Sequence, residues 1–332
     1  TSVALLSRAG EVKSLVSVNQ DDSHRPFGGV VPEIASRRHT ENLLVLVDQM
    51  MKDSEVAWSE VTGIAVTTRP GLIGSLLVGL VSAKTLSLVH GIPFVGVNHI
   101  EGHLLAPLLK DASYGPPVGF DFPYLGLAVS GGHTHLFMVE GPTHYRLLGQ
   151  TMDDAAGEAF DKFAKMAGLG FPGGVRVDQT SKTGSPVKFN FPRGLMGDGS
   201  FNFSFSGLKT AAQRQLAGMA PDEIQAALPD LCASFQEAIV DVLVHKLIEA
   251  AKVTGAKRWT VTGGVSANSR LREAVQDAAK EAGALLALPP LRYCTDNAAM
   301  IALAGLKRLE LGETSPQDLA PKAQALATDW VE

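Results

Sequence analysis

The chain shows two successive rounds of strand-like and helix-like apolar patterns, separated by a Pro- and Gly-containing run at 111–117. Before that run, the pattern predicts a hairpin over 1–18, a helix from Pro32 to about Val56, strands at 64–68 and 93–97, and a helix from His99 to Leu109. After it, the pattern predicts strands at 124–129, 136–140 and 145–148, a helix over 153–168, helices between 208 and 253, strands at 258–262 and 284–288, and a last helix from Asp296 to Leu311. Two such rounds predict an α/β protein with two lobes, mixed sheets and a ligand cleft between the lobes.

The run at 111–117 is the predicted linker between the lobes. It gives a first lobe at 1–115 and a second at 116–299, which carries a Gly- and Phe-rich basic insertion at 170–207. The C-terminal segment, about 300–332, is expected to pack back on the first lobe. The long apolar stretch 72–89 contains Lys84 and several Gly and Ser residues, so it predicts a buried helix and not a membrane span.

Composition narrows the class of protein. Of the 332 residues 45% are hydrophobic and 19% are charged, and two cysteines do not suffice for a disulfide framework, so a soluble cytoplasmic protein without membrane contact is expected. The formal net charge of −5 opposes nucleic-acid binding by the surface as a whole. Between Lys162 and Arg214, however, eight basic residues face two acidic ones, which leaves RNA binding open for that segment. The alternate phenylalanines at 201–205 favour one buried strand face.

His99 and His103 stand four residues apart on the predicted helix, where their directions differ by about 40°. That is a metal-ligand spacing, although helix histidines with a purely structural role show it too. The zincin motif H-E-x-x-H is not matched, because Ile100 follows the first histidine and Glu101 points about 200° away from it. Asp296, at the start of the last helix, is either an N-cap or a third, hard ligand.

Three glycine-rich loops follow predicted strands and suit anion binding by backbone amides. They are the run from Ser130 to Gly132, the run 172–174 with Asp178 beyond it, and the run 262–268 with Gly263, Gly264 and Asn268. Each alone is compatible with a tight turn, whereas three in one chain favour a phosphate or nucleoside site. We expect Gly132 and Gly264 to tolerate alanine poorly, because of close phosphate approach or positive φ.

Seven motifs together resemble one family. They are NHIEGHLLAP around the histidines, SGGHT at 130–134, DDAAGEAFDK at 153–162, FPGG at 171–174, FSFSGLKT at 203–210, GGVSAN at 263–268 and CTDN at 294–297. In this order, and over almost the whole chain, they resemble the TsaD (Gcp) family of bacterial tRNA N6-adenosine threonylcarbamoyltransferases.

The resemblance implies a two-lobed fold of the actin-like and sugar-kinase-like ATPase type, with duplicated ribonuclease-H-like lobes. It implies transfer of a threonylcarbamoyl group from threonylcarbamoyl-adenylate to N6 of the adenosine 3′ of the anticodon, in tRNAs that read codons beginning with A. By position, His99, His103 and Asp296 correspond to the ligands of one divalent metal ion, and their chemistry leaves Fe and Zn open. The substrate and nucleotide contacts implied are Ala128, Val129, Ser130, Gly131, Gly132, Asp161, Gly174, Asp178, Gly263, Gly264 and Asn268.

An adenine nucleotide is therefore expected as substrate or product: threonylcarbamoyl-adenylate, AMP or ATP. His133, beside the first loop, is a candidate general base, unless it merely bonds nearby backbone. Family members usually begin with a strand and a turn resembling GIETSCDET, and this sequence starts at about the last of those residues. The first N-terminal strand is therefore expected to be missing from the given sequence, the alternative being a first lobe that is short of a central strand.

The resemblance also implies as partners tRNA, a TsaB-like pseudoenzyme and a TsaE-like P-loop ATPase. The helix from Pro32 to Val56, which carries Leu43, Leu44, Leu46 and Val47, is one candidate surface for the TsaB-like partner. The alternative is that these residues belong to the core. Two other functions remain open on the residues alone: a metallopeptidase, and a non-catalytic actin-like subunit that binds nucleotide for assembly.

Overall fold

Short apolar runs form the strands and longer amphipathic runs form the helices of this α/β protein. A computed structural model describes residues 1–27 and 29–324. The strands are β1 Ser2–Leu6, β2 Val12–Ser17, β3 Ile64–Arg69, β4 Phe94–Asn98, β5 Tyr124–Val129, β6 Thr134–Gly141, β7 His144–Gln150, β8 Arg258–Thr262 and β9 Leu285–Ala287. The helices are α1 Asp21–His24, α2 Pro32–Ser54, α3 Ile73–His90, α4 His99–Leu105, α5 Ala156–Met166, α6 Gly173–Ser181, α7 Ser206–Ala217, α8 Pro221–Thr254, α9 Ser269–Glu281, α10 Leu291–Cys294 and α11 Ala298–Glu310.

The chain divides into two compact units. The first unit comprises Thr1–Pro116, Gly141–Tyr145 and the described residues from Asp296 onward. The second comprises Pro117–Glu140 and Arg146–Thr295. The C-terminal segment at about 300–332 is thus described as far as residue 324, and the part of that prediction that concerns 325–332 lies outside the described residues.

The first unit holds two separate two-stranded sheets. β1 and β2 form the predicted antiparallel hairpin, and β3 pairs with β4 in parallel. A small core of Val66, Leu80, Ala83 and Phe94 packs between this parallel pair and α3. The parallel pair ends at Asn98, directly before α4, so it sets where α4 begins.

The second unit is built on a five-stranded sheet in the order β7-β6-β5-β8-β9. β5 runs antiparallel to β6 and parallel to β8, and β8 runs parallel to β9, so the sheet is mixed as the sequence predicts. Its core is large and rich in aromatic residues. Seven of them expose at most 3% of their surface: Phe160, Phe163, Phe191, Phe203, Phe205, Phe235 and Trp259.

Four local predictions require correction. The helix that begins at His99 ends at Leu105 and continues as a 3₁₀ turn over Ala106–Leu108, because Pro107 has no backbone N–H to donate. Residues 201–205 form no strand, although Phe203 and Phe205 are core residues as expected; Phe203 makes an isolated bridge to Thr151. The helix predicted from residue 153 begins at Ala156.

The fourth correction concerns the helix predicted to be buried. In α3, Leu76, Leu80, Ala83 and Ser87 are buried, whereas Val81 is 56% exposed and Leu88 is 68% exposed. The helix therefore packs with one side and shows an apolar second side. By length and apolar composition, α3 is the one helix of the described residues that passes a test for a membrane span, a test that core helices of soluble proteins also pass.

Candidate metal centre and glycine loops

Two histidines of the first unit are presented by the start of α4. β4 leads into Asn98, whose side-chain oxygen caps the helix by accepting a hydrogen bond from the amide of Ile100 at 3.0 Å. His99 and His103 follow on one side of the helix, and their rings stand edge to face with centroids 4.7 Å apart. His103 is 1% exposed, and the His99 side chain is 17% exposed.

The third residue of this group, Asp296, comes from the segment between α10 and α11. Oδ1 of Asp296 lies 3.2 Å from Nε2 of His99 and 3.1 Å from Nε2 of His103, and the two Nε2 atoms are 3.2 Å apart. The cap of α11 is Asn297, whose side chain accepts from the amide of Met300 at 3.0 Å. The N-cap interpretation of Asp296 is therefore wrong, and its carboxylate is left for the histidines.

The spacing of these three atoms agrees with the chemistry of a divalent metal ion. Ligand atoms at about 2.0–2.1 Å from a tetrahedral ion stand about 3.3–3.4 Å from one another, close to the 3.1–3.2 Å observed. The Asp296 side chain is 75% exposed, so the group is open on one side. Within the part of the chain that the structure describes, this is the group of His, Cys, Asp and Glu residues whose ligand atoms converge in this way.

At two of the three residues, Asp296 and His103, electrostatics favours the charge state that a metal needs, whereas at His99 it favours the protonated ring. Desolvation acts to raise the pKa of Asp296, but the nearby imidazoles hold that pKa well below its usual value, so the carboxylate stays charged. Burial lowers the pKa of His103 and thereby favours the neutral ligand form. For His99, desolvation acts to lower the pKa, and the charge and hydrogen bond of Asp296 outweigh it and raise the pKa.

Glu101 lies on the opposite side of α4, as its position in the helix predicts. It is fully buried, and Nε of Arg308 donates to both of its carboxylate oxygens, at 2.9 and 3.1 Å. Glu101 is therefore engaged in an ion pair behind the histidines, away from the position that the base of a zincin occupies.

The first glycine loop follows β5, which ends with the buried Ala128 and Val129. The hydroxyl of Ser130 accepts from the amide of His133 at 3.1 Å, and the Ser130 amide donates to the His133 carbonyl at 2.7 Å. Within residues 1–27 and 29–324, the amides of Gly131 and Gly132 make no hydrogen bond. Two exposed N–H groups at this turn are therefore available to an anion, and the Ser130 amide is not.

The second loop is held by carboxylates from inside the unit. Oδ1 of Asp161 accepts from the amide of Gly173 at 2.8 Å, and α6 begins there. Oδ1 of Asp178 accepts from the hydroxyl of Ser269 at 2.7 Å and from its amide at 3.2 Å. Asp178 thereby ties the second loop to the third. Gly174 is half-buried beside Phe160.

In the third loop, Asn268 caps α9. Its side-chain oxygen accepts from the amide of Leu271 at 3.0 Å, and its nitrogen donates to Oε1 of Gln236 at 2.6 Å. Gln236, in α8, is 5% exposed and lies 32 residues away in sequence, so no local pattern could have identified it. The side chain of Asn268 thus has internal partners for both of its polar atoms.

The glycines of these loops differ in what they require. Gly263 has φ +86°, and a Cβ there would lie 2.4 Å from the carbonyl oxygen of Val129, so the third loop packs directly on the end of β5. Gly132 and Gly264 have no positive φ and nothing within 4 Å of an added Cβ. The expectation that these two need glycine for backbone conformation is therefore wrong; the residue with that need is Gly263.

The structure thus groups the predicted residues into two sets. His99, His103 and Asp296 converge in the first unit, and the three glycine loops meet in the second unit. His133 is half-buried in the first loop, with its ring stacked on that of His135 at 5.4 Å between centroids.

Comparison with known structures identifies the fold. The chain is similar to HypF of T. kodakarensis, with a TM-score of 0.56 and 14% identity over 80% of this chain and 43% of that one. It is also similar to full-length HypF in a phosphate- and nucleotide-bound form, with a TM-score of 0.59 and 12% identity over 85% of this chain and 50% of that one. The α/β class with mixed sheets is confirmed, and an actin-like ATPase fold is consistent with these neighbours. The duplicated lobes and the missing first strand stay predictions.

Comparison with known sequences is more specific. Residues 11–303 match the profile of the TsaD family, described as tRNA N6-adenosine threonylcarbamoyltransferase. A protein of that name from Bdellovibrio bacteriovorus is 59% identical over 330 residues, which cover 99% of this chain and 96% of the relative. Another from Pelobacter propionicus is 49% identical over 315 residues, 95% of this chain and 91% of the relative. Since the profile spans most of the chain and the relatives match along nearly their whole length, this chain belongs to the TsaD family.

Proposed function

We propose that this chain is a tRNA N6-adenosine threonylcarbamoyltransferase that holds one divalent metal ion, Fe or Zn, on His99, His103 and Asp296. The proposed metal site is supported by the convergence of two Nε2 atoms and one carboxylate oxygen, which lie 3.1–3.2 Å from one another. The proposed reaction is supported by the 59% identity to a transferase of that name over 99% of the chain.

The reaction is an acyl transfer to an amine. N6 of the adenosine 3′ of the anticodon, in tRNAs that read codons beginning with A, attacks the carbamoyl carbon of threonylcarbamoyl-adenylate. The N–C bond forms, the C–O bond to phosphate breaks, AMP leaves with the electron pair, and N6 loses a proton. When bound, the metal ion supplies a Lewis acid for the oxygen atoms of the substrate. His133 is our candidate for the group that accepts the N6 proton.

The glycine loops of the second unit are our candidate site for the adenylate part of the substrate. The free amides of Gly131 and Gly132 face solvent and suit phosphate oxygens. Around them, the carboxylates of Asp161 and Asp178 and the amide of Asn268 hold the loops in place through internal hydrogen bonds. We assign AMP, threonylcarbamoyl-adenylate or ATP to this site, with Ala128, Val129, Gly174, Gly263 and Gly264 as its walls.

The basic segment of the second unit is our candidate tRNA surface. Of its eight cations, Lys162 and Lys209 pair with Asp154, and Arg193 pairs with Asp241. The other five are exposed and have no ion pair among the described residues: Lys165, Arg176, Lys182, Lys188 and Arg214. Unpaired exposed cations are the groups that neutralise phosphates. Of the phenylalanines of the segment, Phe191, Phe203 and Phe205 are buried in the core, and Phe189 and Phe201 are partly buried against it.

The exposed apolar sides of α2 and α3 are our candidate surface for a TsaB-like pseudoenzyme, with a TsaE-like P-loop ATPase as a further partner. On α2, Leu44 and Val45 are 65% and 66% exposed, whereas Leu46 belongs to the core. α3 packs against α2 and adds Val81 and Leu88. An apolar patch of this kind on a folded unit typically marks a protein contact. We place the protein in the cytoplasm, where tRNA is modified.

The alternative functions are less well supported. A metallopeptidase of zincin type needs a free glutamate beside its metal, and Glu101 is buried in an ion pair on the other side of α4. A non-catalytic, nucleotide-binding assembly subunit has no need for a converging triad of metal ligands.

The test is mass spectrometry of tRNA nucleosides after incubation of tRNA with threonylcarbamoyl-adenylate and the chain, with and without the two partner proteins. We expect repeated turnover in the complete mixture and little without partners, since the net charge of −5 opposes RNA binding by the chain alone. A Lys182→Glu, Lys188→Glu double variant should lose turnover at limiting tRNA. A Lys257→Glu, Lys280→Glu double variant, which changes two exposed cations of the second unit outside the basic segment, serves as its charge-matched control. Cleavage of peptides with no tRNA product would contradict the proposal.

A further inference from the structure

The carboxylate of Glu101 lies behind the candidate metal site and is fully buried. Glu101 stands between the two histidines in the sequence but lies on the other side of α4. We propose that Glu101, through Arg308, is a positioning residue that fixes the rotation of α4 and thereby aims His99 and His103 at Asp296. The proposal rests on the metal site proposed above.

The Glu101 carboxylate is held by two other parts of the first unit. Nε of Arg308, in α11, lies 2.9 and 3.1 Å from its two oxygens. The hydroxyl of Tyr145, the second residue of β7, lies 3.2 Å from Oε1 and also contacts the carbonyl of Pro142. Arg308 in turn donates to Glu313 at 2.6 Å. The N–H of Arg308 shared between both oxygens and the Tyr145 hydroxyl at Oε1 are charge-assisted hydrogen bonds that hold the carboxylate in place.

The ion pair joins the two elements that carry the ligands. α4 carries the histidines, and α11 follows Asp296 after one capping residue. The helices approach closely because residue 102 is glycine: a Cβ there would lie 2.9 Å from Cδ1 of Ile301 and 3.1 Å from Cγ of Met300. Contact at Gly102 sets the distance between the helices, and the Glu101 to Arg308 pair opposes rotation of α4.

Such a restraint is needed because the ligands have little other support. In most metal sites the second ring nitrogen of each histidine is hydrogen-bonded, which orients the ring. Nδ1 of His103 is buried and has no hydrogen-bond partner among the described residues. For an atom about 6 Å from the helix axis, a rotation of about 20° is a displacement of about 2 Å, as long as a metal–ligand bond. The orientation of the His103 ring therefore depends on the orientation of α4.

The experiment measures binding of Co²⁺ to the metal-free full chain, by competition with a chelator and by the ligand-field absorption spectrum of the bound ion. We expect Glu101→Ala to weaken Co²⁺ binding by about tenfold or more and to change the spectrum. Glu101→Gln keeps an acceptor for Arg308 and should recover part of the affinity. The matched control is Glu313→Gln, which removes the other partner of Arg308 and should leave affinity within about twofold.

The spectrum separates positioning from general loss of stability, since a merely destabilised protein that remains folded coordinates the ion with the same ligands. Wild-type affinity and spectrum in a folded Glu101→Ala protein would overturn the inference. Should that variant not fold, Glu101→Gln and Tyr145→Phe decide instead, and wild-type Co²⁺ binding in both would overturn it. If the wild-type chain binds no Co²⁺, the proposed metal site itself fails, and that result is distinct from a site that ignores Glu101.

Discussion

The metal ligands of the first unit and the glycine loops of the second use polar residues in opposite ways. His99, His103 and Asp296 point at one another and leave an open side, and none of them caps a helix. In the loops, Asp161, Asp178 and Asn268 each satisfy a backbone amide of their own unit. Side chains in the first region are thus available to a ligand, whereas in the second the available groups are backbone amides. A change of side chain should therefore abolish function in the first region and reduce stability in the second.

The largest effect is expected at the metal ligands. His99→Ala and Asp296→Ala should each lower the rate of tRNA modification by about 1000-fold, since loss of a metal removes several kcal/mol of transition-state stabilisation. Both side chains are more exposed than the buried His103, so unfolding temperatures should change little. Initial rates with threonylcarbamoyl-adenylate and partner proteins measure this, and Asp277→Asn, at an exposed position on α9 of the second unit, is the control. Rates of His99→Ala and Asp296→Ala within tenfold of wild type would show that side chains of the first region are not essential for function.

The glycines of the third loop offer a matched pair. Gly263→Ala should reduce the free energy of unfolding by about 3 kcal/mol or more, because it combines φ +86° with a contact of 2.4 Å to a backbone oxygen. Gly264→Ala, one residue on, meets neither obstacle and should stay within about 1 kcal/mol of wild type. Chemical denaturation measures both variants. Equal losses in the two would show that the loop has a different conformation.

A smaller effect on stability is expected at Asn268. Asn268→Ala removes the cap of α9 and the partner of Gln236, which should cost about 1–2 kcal/mol. Asn268→Asp keeps the capping oxygen and should recover part of that loss. Calorimetric binding of AMP distinguishes the two roles: if alanine weakens AMP binding strongly but leaves stability unchanged, Asn268 acts on the nucleotide directly and not through the loop.

An effect of similar size, which depends on pH, is expected at His135, next to the first loop. Burial, together with the charge of His133, lowers the pKa of His135 to about 4. The native protein therefore leaves this ring neutral where the unfolded chain, with a histidine pKa of about 6.5, takes up a proton. The free energy of unfolding should therefore rise with pH between about 4 and 6.5. This group alone should make it about 1–2 kcal/mol lower at pH 5 than at pH 7. Ring proton shifts in NMR would contradict this if His135 titrates above pH 6.

Much of the fold follows from local pattern. The hairpin of β1 and β2, the helix from Pro32 and the strand that ends at Asn98 agree with their predictions to within a few residues. Which side of α3 is exposed was not predictable, because apolar residues occur all around the helix. Their periodicity therefore does not indicate which side packs against the core. The buried phenylalanines at 203 and 205 show the converse: alternation predicted burial correctly and the strand wrongly.

The candidate metal site was also predictable only in part from the sequence. The spacing of His99 and His103 predicts that they share a helix face, since that is a property of helix geometry. Asp296 stands 193 residues beyond His103, and sequence chemistry alone could not choose between a cap and a ligand. The partner of Glu101, Arg308, is equally remote in sequence. Long-range pairings of this kind depend on how α4 and α11 pack, which local pattern does not encode.

The most direct test of the account is the metal content and metal coordination of the purified wild-type chain, by elemental analysis and X-ray absorption at the edge of the bound metal. We expect about one divalent ion per chain, with nitrogen and oxygen ligands at about 2.0–2.2 Å that include two imidazoles. We also expect His99→Ala and Asp296→Ala to lose that ion. A chain without a stoichiometric metal, or a metal retained with the same coordination in both variants, would contradict it.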